Sequence, residues 1–300
     1  MKNFHVKESE LYPFDLIKLV PALSGLEKYN AVALGDTHMG GTMSYLPSNC
    51  VDERNNPIKQ EQHQKIMQHN LESELTIIGQ TDIIFFTGDM VEGSNGRAGG
   101  MDLYNTNIDM QLRWGQLFID SIIKILKPKV ILGLQGSNYH VGITSDMTLL
   151  ENAAKTHKDI QFIFGKPNLK FFLGEKFWFL AHTFGGSRTT PIANLDRQWK
   201  KIHDDHYDKD RTPDVIGHGH MHLATPPVPL KNGRHPVFGF IVPCQKLPDS
   251  HLEKYTTGVT EIGFLHLTQK GVDLYGRYYN TFRYWEYERN DKLKLKKKKL

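Results

Sequence analysis

Ala31-Val32-Ala33-Leu34-Gly35-Asp36-Thr37-His38 sets how the rest of this chain is read. Four apolar residues predict a short buried strand, and the chain then breaks into a loop carrying a carboxylate and an imidazole two positions apart. In an extended segment residues i and i+2 share a side, so Asp36 and His38 are expected to grip one ion. The cadence repeats. Residues 82–86 form an apolar run ending in Thr87-Gly88-Asp89, and residues 130–134 run into Gln135-Gly136-Ser137-Asn138-Tyr139-His140. Helix-spaced segments lie between these runs. Residues 60–79 carry Ile66, Leu71, Leu75 and Ile78, and residues 110–126 carry Leu112, Leu117, Ile119, Ile122, Ile123 and Leu126. A third helix is predicted over residues 147–157. A βαβαβ order of this kind predicts a parallel sheet with covering helices, and such sheets place ligands at the carboxyl ends of their strands.

After residue 160 the pattern changes. Segments 161–164, 169–173 and 177–181 read as short strands joined by Gly, Pro and Asn turns, that is, as hairpins. Further strands are expected at 215–216, 237–242, 260–267 and 272–277. These are too many for one sheet. The fold class predicted is α+β / α/β: a four-layer αββα sandwich, two mixed β-sheets packed face to face with helices outside. The domain is expected to span residues 30–285, with 1–29 a lead segment packed on it and 286–300 a basic, disordered tail. The Gly- and Asn-rich loop 93–107 lies where a lid would sit.

Composition narrows the function classes. A 300-residue chain with 39% hydrophobic and 23% charged residues is globular, not disordered, collagenous or coiled-coil. A mean hydropathy of -0.45 and the absence of a long apolar run argue against a membrane span. Charges interrupt residues 1–20, unlike a secretory signal. Two cysteines make no disulfide framework, so a reducing, cytoplasmic setting is expected. The net charge of +4 is local: removing the six Lys and one Asp of residues 291–300 from 37 basic and 33 acidic groups leaves 31 and 32. Such a tail is a solubilising end or a non-specific anchor for a polyanion.

Two more strand ends carry imidazoles, one at His182 and one in Asp214-Val215-Ile216-Gly217-His218-Gly219-His220-Met221-His222. Taken singly, each motif has a bland explanation. Gly-Asp is commonly a turn, a lone His on an apolar strand end is commonly a core residue, and alternating His can line a solvated strand. Five such motifs, in order and all at strand ends, are far more specific.

This order resembles the calcineurin-like metallophosphoesterase superfamily, whose pattern runs D-x-H, G-D, G-N-H, a strand-end His, then G-H-x-H. The resemblance covers roughly residues 30–225. The sequence around Gly88-Asp89-Met90-Val91-Glu92-Gly93 and after His182 looks most like the phage and archaeal-virus branch, with repair exonucleases as relatives. In the family an Asp precedes the last glycine by a short strand. Asp214 leaves room for one before Gly219, which favours His220 and His222 over His218 and His220. Tyr139, which separates Asn138 from His140, departs from the family pattern.

The resemblance implies two divalent transition-metal ions, Mn first, with Fe, Ni or Zn as alternatives. Asp36, His38, Asp89 and His222 would hold one, and Asp89, Asn138, His182 and His220 the other, with Asp89 bridging. It further implies hydrolysis of phosphate esters by a hydroxide bridging the ions. His140 and Asn138 take the catalytic roles, His140 as proton donor to the leaving oxygen. His218, Arg97 and Tyr139 are the candidates for touching substrate.

Family protein phosphatases carry Arg after the second motif and before the third. Here Met90–Glu92 and Leu134–Gln135 stand there, with Arg97 the nearby cation, so a phosphodiester, singly charged, is favoured over a monoester. The stretch from Tyr275 to Tyr287 interleaves aromatics with Arg277 and Arg283, as surfaces for single-stranded nucleic acid do. Aromatics on a last strand equally pack a core or a homodimer contact. A phosphodiesterase or nuclease is therefore expected, with no membrane partner. The alternatives are a phosphomonoesterase, a cyclic-nucleotide phosphodiesterase, or an inactive fold serving as a binding subunit.

Overall fold

Alternation of side chains decides which faces meet. In β2 (Lys28–Leu34), Tyr29, Ala31 and Ala33 point to one core and Val32 and Leu34 to another. β3 (Ile83–Phe86) and β4 (Val130–Leu134) divide the same way, with Ile83, Phe85, Val130 and Leu132 on the first side and Ile84, Phe86 and Ile131 on the second. Strands apolar on both faces need a cover on each, which is the sandwich condition. The computed structural model describes residues 17–19, 28–94, 102–137, 145–166, 168–174, 176–183, 190–205, 212–230, 237–248, 260–271 and 273–282.

Among the described residues, two six-stranded mixed sheets are present. In the first, β2, β3, β4 and β5 (Gln161–Gly165) run parallel, and β11 (Gly263–Lys270) and β12 (Asp273–Asn280) extend it antiparallel beside β2. In the second, β1 (Ile17–Leu19) pairs with β6 (Asn168–Leu173), which forms a hairpin with β7 (Lys176–Ala181). β7, β8 (Val215–His218) and β10 (Phe238–Ile241) then run parallel, and β9 (Thr225–Pro229) closes the edge antiparallel to β10. The Pro residues of β9 suit an edge, where a missing N–H is harmless.

Helices cover the outer faces. α1 (Gln62–Ile78), α2 (Ile108–Leu126) and α3 (Ser145–Thr156) pack on the first sheet through Met67, Leu71, Trp114, Phe118, Ile122 and Leu150. α1 starts with a reciprocal Glu61/Gln64 capping box, and Asn107 caps α2. α4 (Pro191–Asp205) packs on the second sheet through Leu195 and Trp199. The interface between the sheets is aromatic. Trp178 is wholly buried, stacks on Phe85 and Phe171 at centroid distances of 5.6 and 5.8 Å, and meets Phe240 edge-on at 6.0 Å.

The four-layer order and the parallel core agree with the sequence expectation. One reading needs correction. Segments 161–164 and 169–173 do not pair as a hairpin, because β5 lies in the first sheet and β6 in the second, and the chain crosses between layers there. β1, β9 and α4 were not anticipated. Among the described residues no helix is long and apolar enough to cross a membrane.

Candidate metal centre

The two parallel triads, β2–β3–β4 and β7–β8–β10, end at one place, and the loops leaving them are stitched together by backbone. Asp36 N donates to Gly88 O at 2.9 Å, His38 N to Asp89 O at 3.0 Å and Met39 N to Met90 O at 2.9 Å. Gly219 N donates to His182 O at 3.1 Å, and His220 N to Asp36 Oδ2 at 2.8 Å, joining one sheet's loops to the other's. Gly136 passes so close to the second motif that a Cβ there would lie 2.2 Å from both Asp89 N and Asp89 Oδ1.

The extended backbone assumed for Asp36 and His38 is not what brings them together. Asp36 (φ 49°), His38 (49°), Asp89 (50°), His220 (63°) and His222 (52°) all adopt the left-handed conformation. Among the described residues, Asn55 and Lys127 are the other non-glycine residues that do so. Each such residue costs on the order of 1 kcal/mol, a strain that accumulates where side chains must converge.

They converge into two groups. Asp36, Asp89, His182 and His220 each offer one ligand atom, all within 4.8 Å of one another, and Asp36, His38 and His222 do the same. His182 Nε2 lies 3.0 Å from Asp89 Oδ2 and 3.2 Å from His220 Nδ1. His38 Nε2 and His222 Nε2 face each other at 3.4 Å, with Asp36 Oδ1 at 3.9 and 3.6 Å from them. The resemblance implied Asp89 as the shared carboxylate, whereas these groupings share Asp36.

The donor set fits divalent ions. Among the described residues Asp36 Oδ1 is buried with no hydrogen-bond donor and is aimed at two imidazole nitrogens. His182 Nδ1 lies 2.8 Å from Thr87 O, so it donates there and turns Nε2 toward Asp89. Burial opposes charge on Asp36 and Asp89, yet the facing imidazoles hold both carboxyls below the usual range. Burial also opposes charge on His182, but Asp89 and then Asp36 lift its imidazole to about 10. Two buried carboxylates facing three imidazoles make a pocket that favours positive charge. His222 goes the other way: burial lowers it, Asp36 opposes, and Lys246 and His220 add to the fall. Its bare-nitrogen, ligand form is thereby favoured.

His220 is the open side of the cluster, with 43% of its side chain exposed. His218 belongs to neither group. It lies in β8, 1% exposed, with Nδ1 2.9 Å from Gly219 O, and burial pushes it down to about 4. Asn138, Tyr139, His140 and Arg97 fall outside the described residues, as do residues 95–101 of the 93–107 loop and the basic tail. Of the aromatic C-terminal stretch, Tyr279 stacks on Phe264 at 4.9 Å, Tyr278 donates to Ile262 O at 3.0 Å, and Tyr275 is exposed.

The motifs did not point to four nearby polar residues. Ser137 places its N and Oγ 2.7 and 3.1 Å from Asp89 Oδ1. Glu92 Oε2 lies 2.9 Å from His38 Nδ1 and 2.8 Å from Lys246 Nζ. Asp146, fully buried, accepts from Met90 N at 3.0 Å and Gly136 N at 2.8 Å, so it clamps the loops after β3 and β4. Burial and then the Asp89 charge push Asp146 up to about 7, against the pull of those two N–H donors.

A carboxyl raised in the folded state keeps its proton between about pH 4 and 7, where the unfolded chain has lost it, so stability falls as pH rises through that window. In chelator-treated protein, the wild type should lose about 2 kcal/mol more than Asp146→Asn between pH 5 and 8. Urea unfolding at the two pH values checks this, and equal losses would refute it.

No family model matches the chain, and no curated protein matches it. Solved structures that resemble it include Vps29 of Chaetomium thermophilum (10% identity, TM-score 0.38, 85% of this chain and 98% of that one). Others are the purple acid phosphatase PPD1 of yellow lupin, Lupinus luteus (12%, 0.39, 85% and 52%), and the calcineurin-like phosphoesterase YfkN of Bacillus subtilis (10%, 0.36, 85% and 91%). The chain spans about half of the lupin protein.

Proposed function

We propose that this chain is a dinuclear metal-dependent phosphoesterase of the calcineurin-like type, acting on phosphodiesters and in particular as a nuclease. The observation that carries the proposal is the pair of Asp/His groups sharing Asp36, formed by loops from both sheets. When bound, two ions supply charge stabilisation for the phosphoryl oxygens and a nucleophilic water near neutral pH. Asp36, Asp89, His182 and His220 would hold one ion, with Asn138 completing the set. Asp36, His38 and His222 would hold the other, so that Asp36 is the carboxylate common to both groups. Imidazole and carboxylate donors together suit Mn, Fe, Ni or Zn, and Mn is the first choice.

The chain's own residues do the rest. Thr87 O and Glu92 orient the rings of His182 and His38. Ser137 fixes Asp89 Oδ1, and the sheet interior excludes water from one side while His220 marks the open approach. His140 would protonate the leaving oxygen. The diester preference rests on Met90–Glu92 and Leu134–Gln135 standing where family phosphatases place Arg, and Glu92 is engaged with His38 and Lys246. Single-stranded DNA is the substrate to try first, since Tyr275 and Arg277 lie on β12 and the tail is basic. A reducing compartment suits the buried thiols of Cys50 and Cys244.

The test is a Mn-supplemented panel of bis-nitrophenyl phosphate, nitrophenyl phosphate, single-stranded DNA and phosphopeptide. Faster turnover of the diester and of DNA is expected, and Asp89→Asn should lower it by about 10²–10³-fold. Preference for the monoester would overturn the diester assignment, and full activity in Asp89→Asn would overturn the site.

A further inference from the structure

Glu92 and Lys246 form an ion pair in which the two side chains are 1% and 3% exposed. Removing both charges from water costs several kcal/mol, and well-packed apolar residues would usually serve stability as well or better. The pair therefore calls for a use, and its geometry supplies one. The Glu92 oxygen that meets Lys246 Nζ at 2.8 Å also lies 2.9 Å from His38 Nδ1. The opposite nitrogen of that ring, Nε2, faces His222 Nε2 and Asp36 Oδ1.

Backbone fixes both partners. Glu92 N donates to Met39 O at 2.9 Å, next to His38. Lys246 follows Gln245, whose N donates to Asp36 O at 3.1 Å, and it bridges to Ser44 on the same loop. A loop from the first sheet and one from the second thus bring an anion and a cation to the back of one imidazole.

We infer that Glu92 and Lys246 are positioning residues that set the tautomer and orientation of His38, and with them the affinity of the His38–His222–Asp36 group for a divalent ion. A proton on Nδ1 would face the Glu92 carboxylate at 2.9 Å and leave Nε2 bare. Lys246 neutralises Glu92, so that a third uncompensated anion is not added beside Asp36 and Asp89. The inference rests on the proposed metal binding and extends it to residues that touch no ion.

The test uses the full chain and two readouts. In chelator-treated protein, long-range proton–nitrogen spectra of the imidazoles should show His38 protonated at Nδ1, and Glu92→Gln should shift it toward the other tautomer. In Mn titration calorimetry the wild type should take two ions. Glu92→Gln and Lys246→Met should each weaken one of them by about 10–100-fold and leave the other within about twofold. The double variant Glu92→Leu/Lys246→Met leaves no lone buried charge and should keep its fold, yet still bind that ion weakly. If the double variant is folded and binds two ions as the wild type does, or if the tautomer of His38 is unmoved in Glu92→Gln, the inference is overturned. If the wild type itself takes no Mn, the metal reading fails first, a result distinct from either of those.

Discussion

Asp36→Asn is expected to abolish Mn-dependent phosphoester hydrolysis, by about 10³-fold or more, because it removes negative charge from both ion groups at once. Asp36 Oδ1 faces His38 and His222, while Oδ2 accepts from His220 N and so holds the loop that carries His220 and His222. An amide can keep one of these contacts but supplies neither the charge nor a second acceptor. The substitution is close in shape, so the fold should survive. The separating comparison is with Asp89→Asn, whose carboxylate belongs to one group. Asp36→Asn should lose both ions, measured by metal analysis after gel filtration, and Asp89→Asn should retain more. Equal retention in Asp36→Asn and the wild type would remove Asp36 from the centre.

Trp178→Ala should produce the largest loss of stability from one core position. Its ring is fully buried between Phe85 and Phe171 and touches Phe240, so truncation opens a cavity where both sheets meet. A loss of about 3–5 kcal/mol is expected in urea unfolding of chelator-treated protein. Phe172→Ala, one strand away and 38% exposed, should cost about 1 kcal/mol or less. Since β3 bears the Asp89 loop and β7 the His182 loop, Trp178 sets the spacing between the halves of the cluster. Comparable losses in the two variants would contradict a packed, continuous interface between the sheets.

Much of the fold was legible because fully buried parallel strands read as unbroken apolar runs. The segments at β2, β3 and β4 stand out for that reason, and the helices between them show their spacing. α4 had a signal of the same kind in Leu195, Trp199 and Ile202, but its mostly polar sequence obscured it. β9, with three Pro in five residues, does not read as a strand at all. That β5 and β6 lie in different sheets depends on which face of each finds a partner, and no local pattern states it.

The site was legible to a similar depth. Strand-end Asp and His residues announce themselves by type and position, and Asp36, His38, Asp89, His182, His220 and His222 do come together. Their left-handed backbones were not readable, since the sequence suggests an extended pair at Asp36 and His38. Supporting groups were least visible. Lys246 sits in no motif and meets Glu92 across 154 residues of chain, and Asp146 acts on the backbone of loops far from it in sequence. Long-range polar contacts follow from topology, so they appear only once the sheets are assembled.

The most direct measurement is anomalous scattering from crystals of the chain soaked in Mn, which locates each ion independently of turnover. Two peaks are expected, one bounded by Asp36, Asp89, His182 and His220 and one by Asp36, His38 and His222, roughly 3.5–4 Å apart. No peak among these side chains, or peaks on the surface alone, would contradict a dinuclear centre.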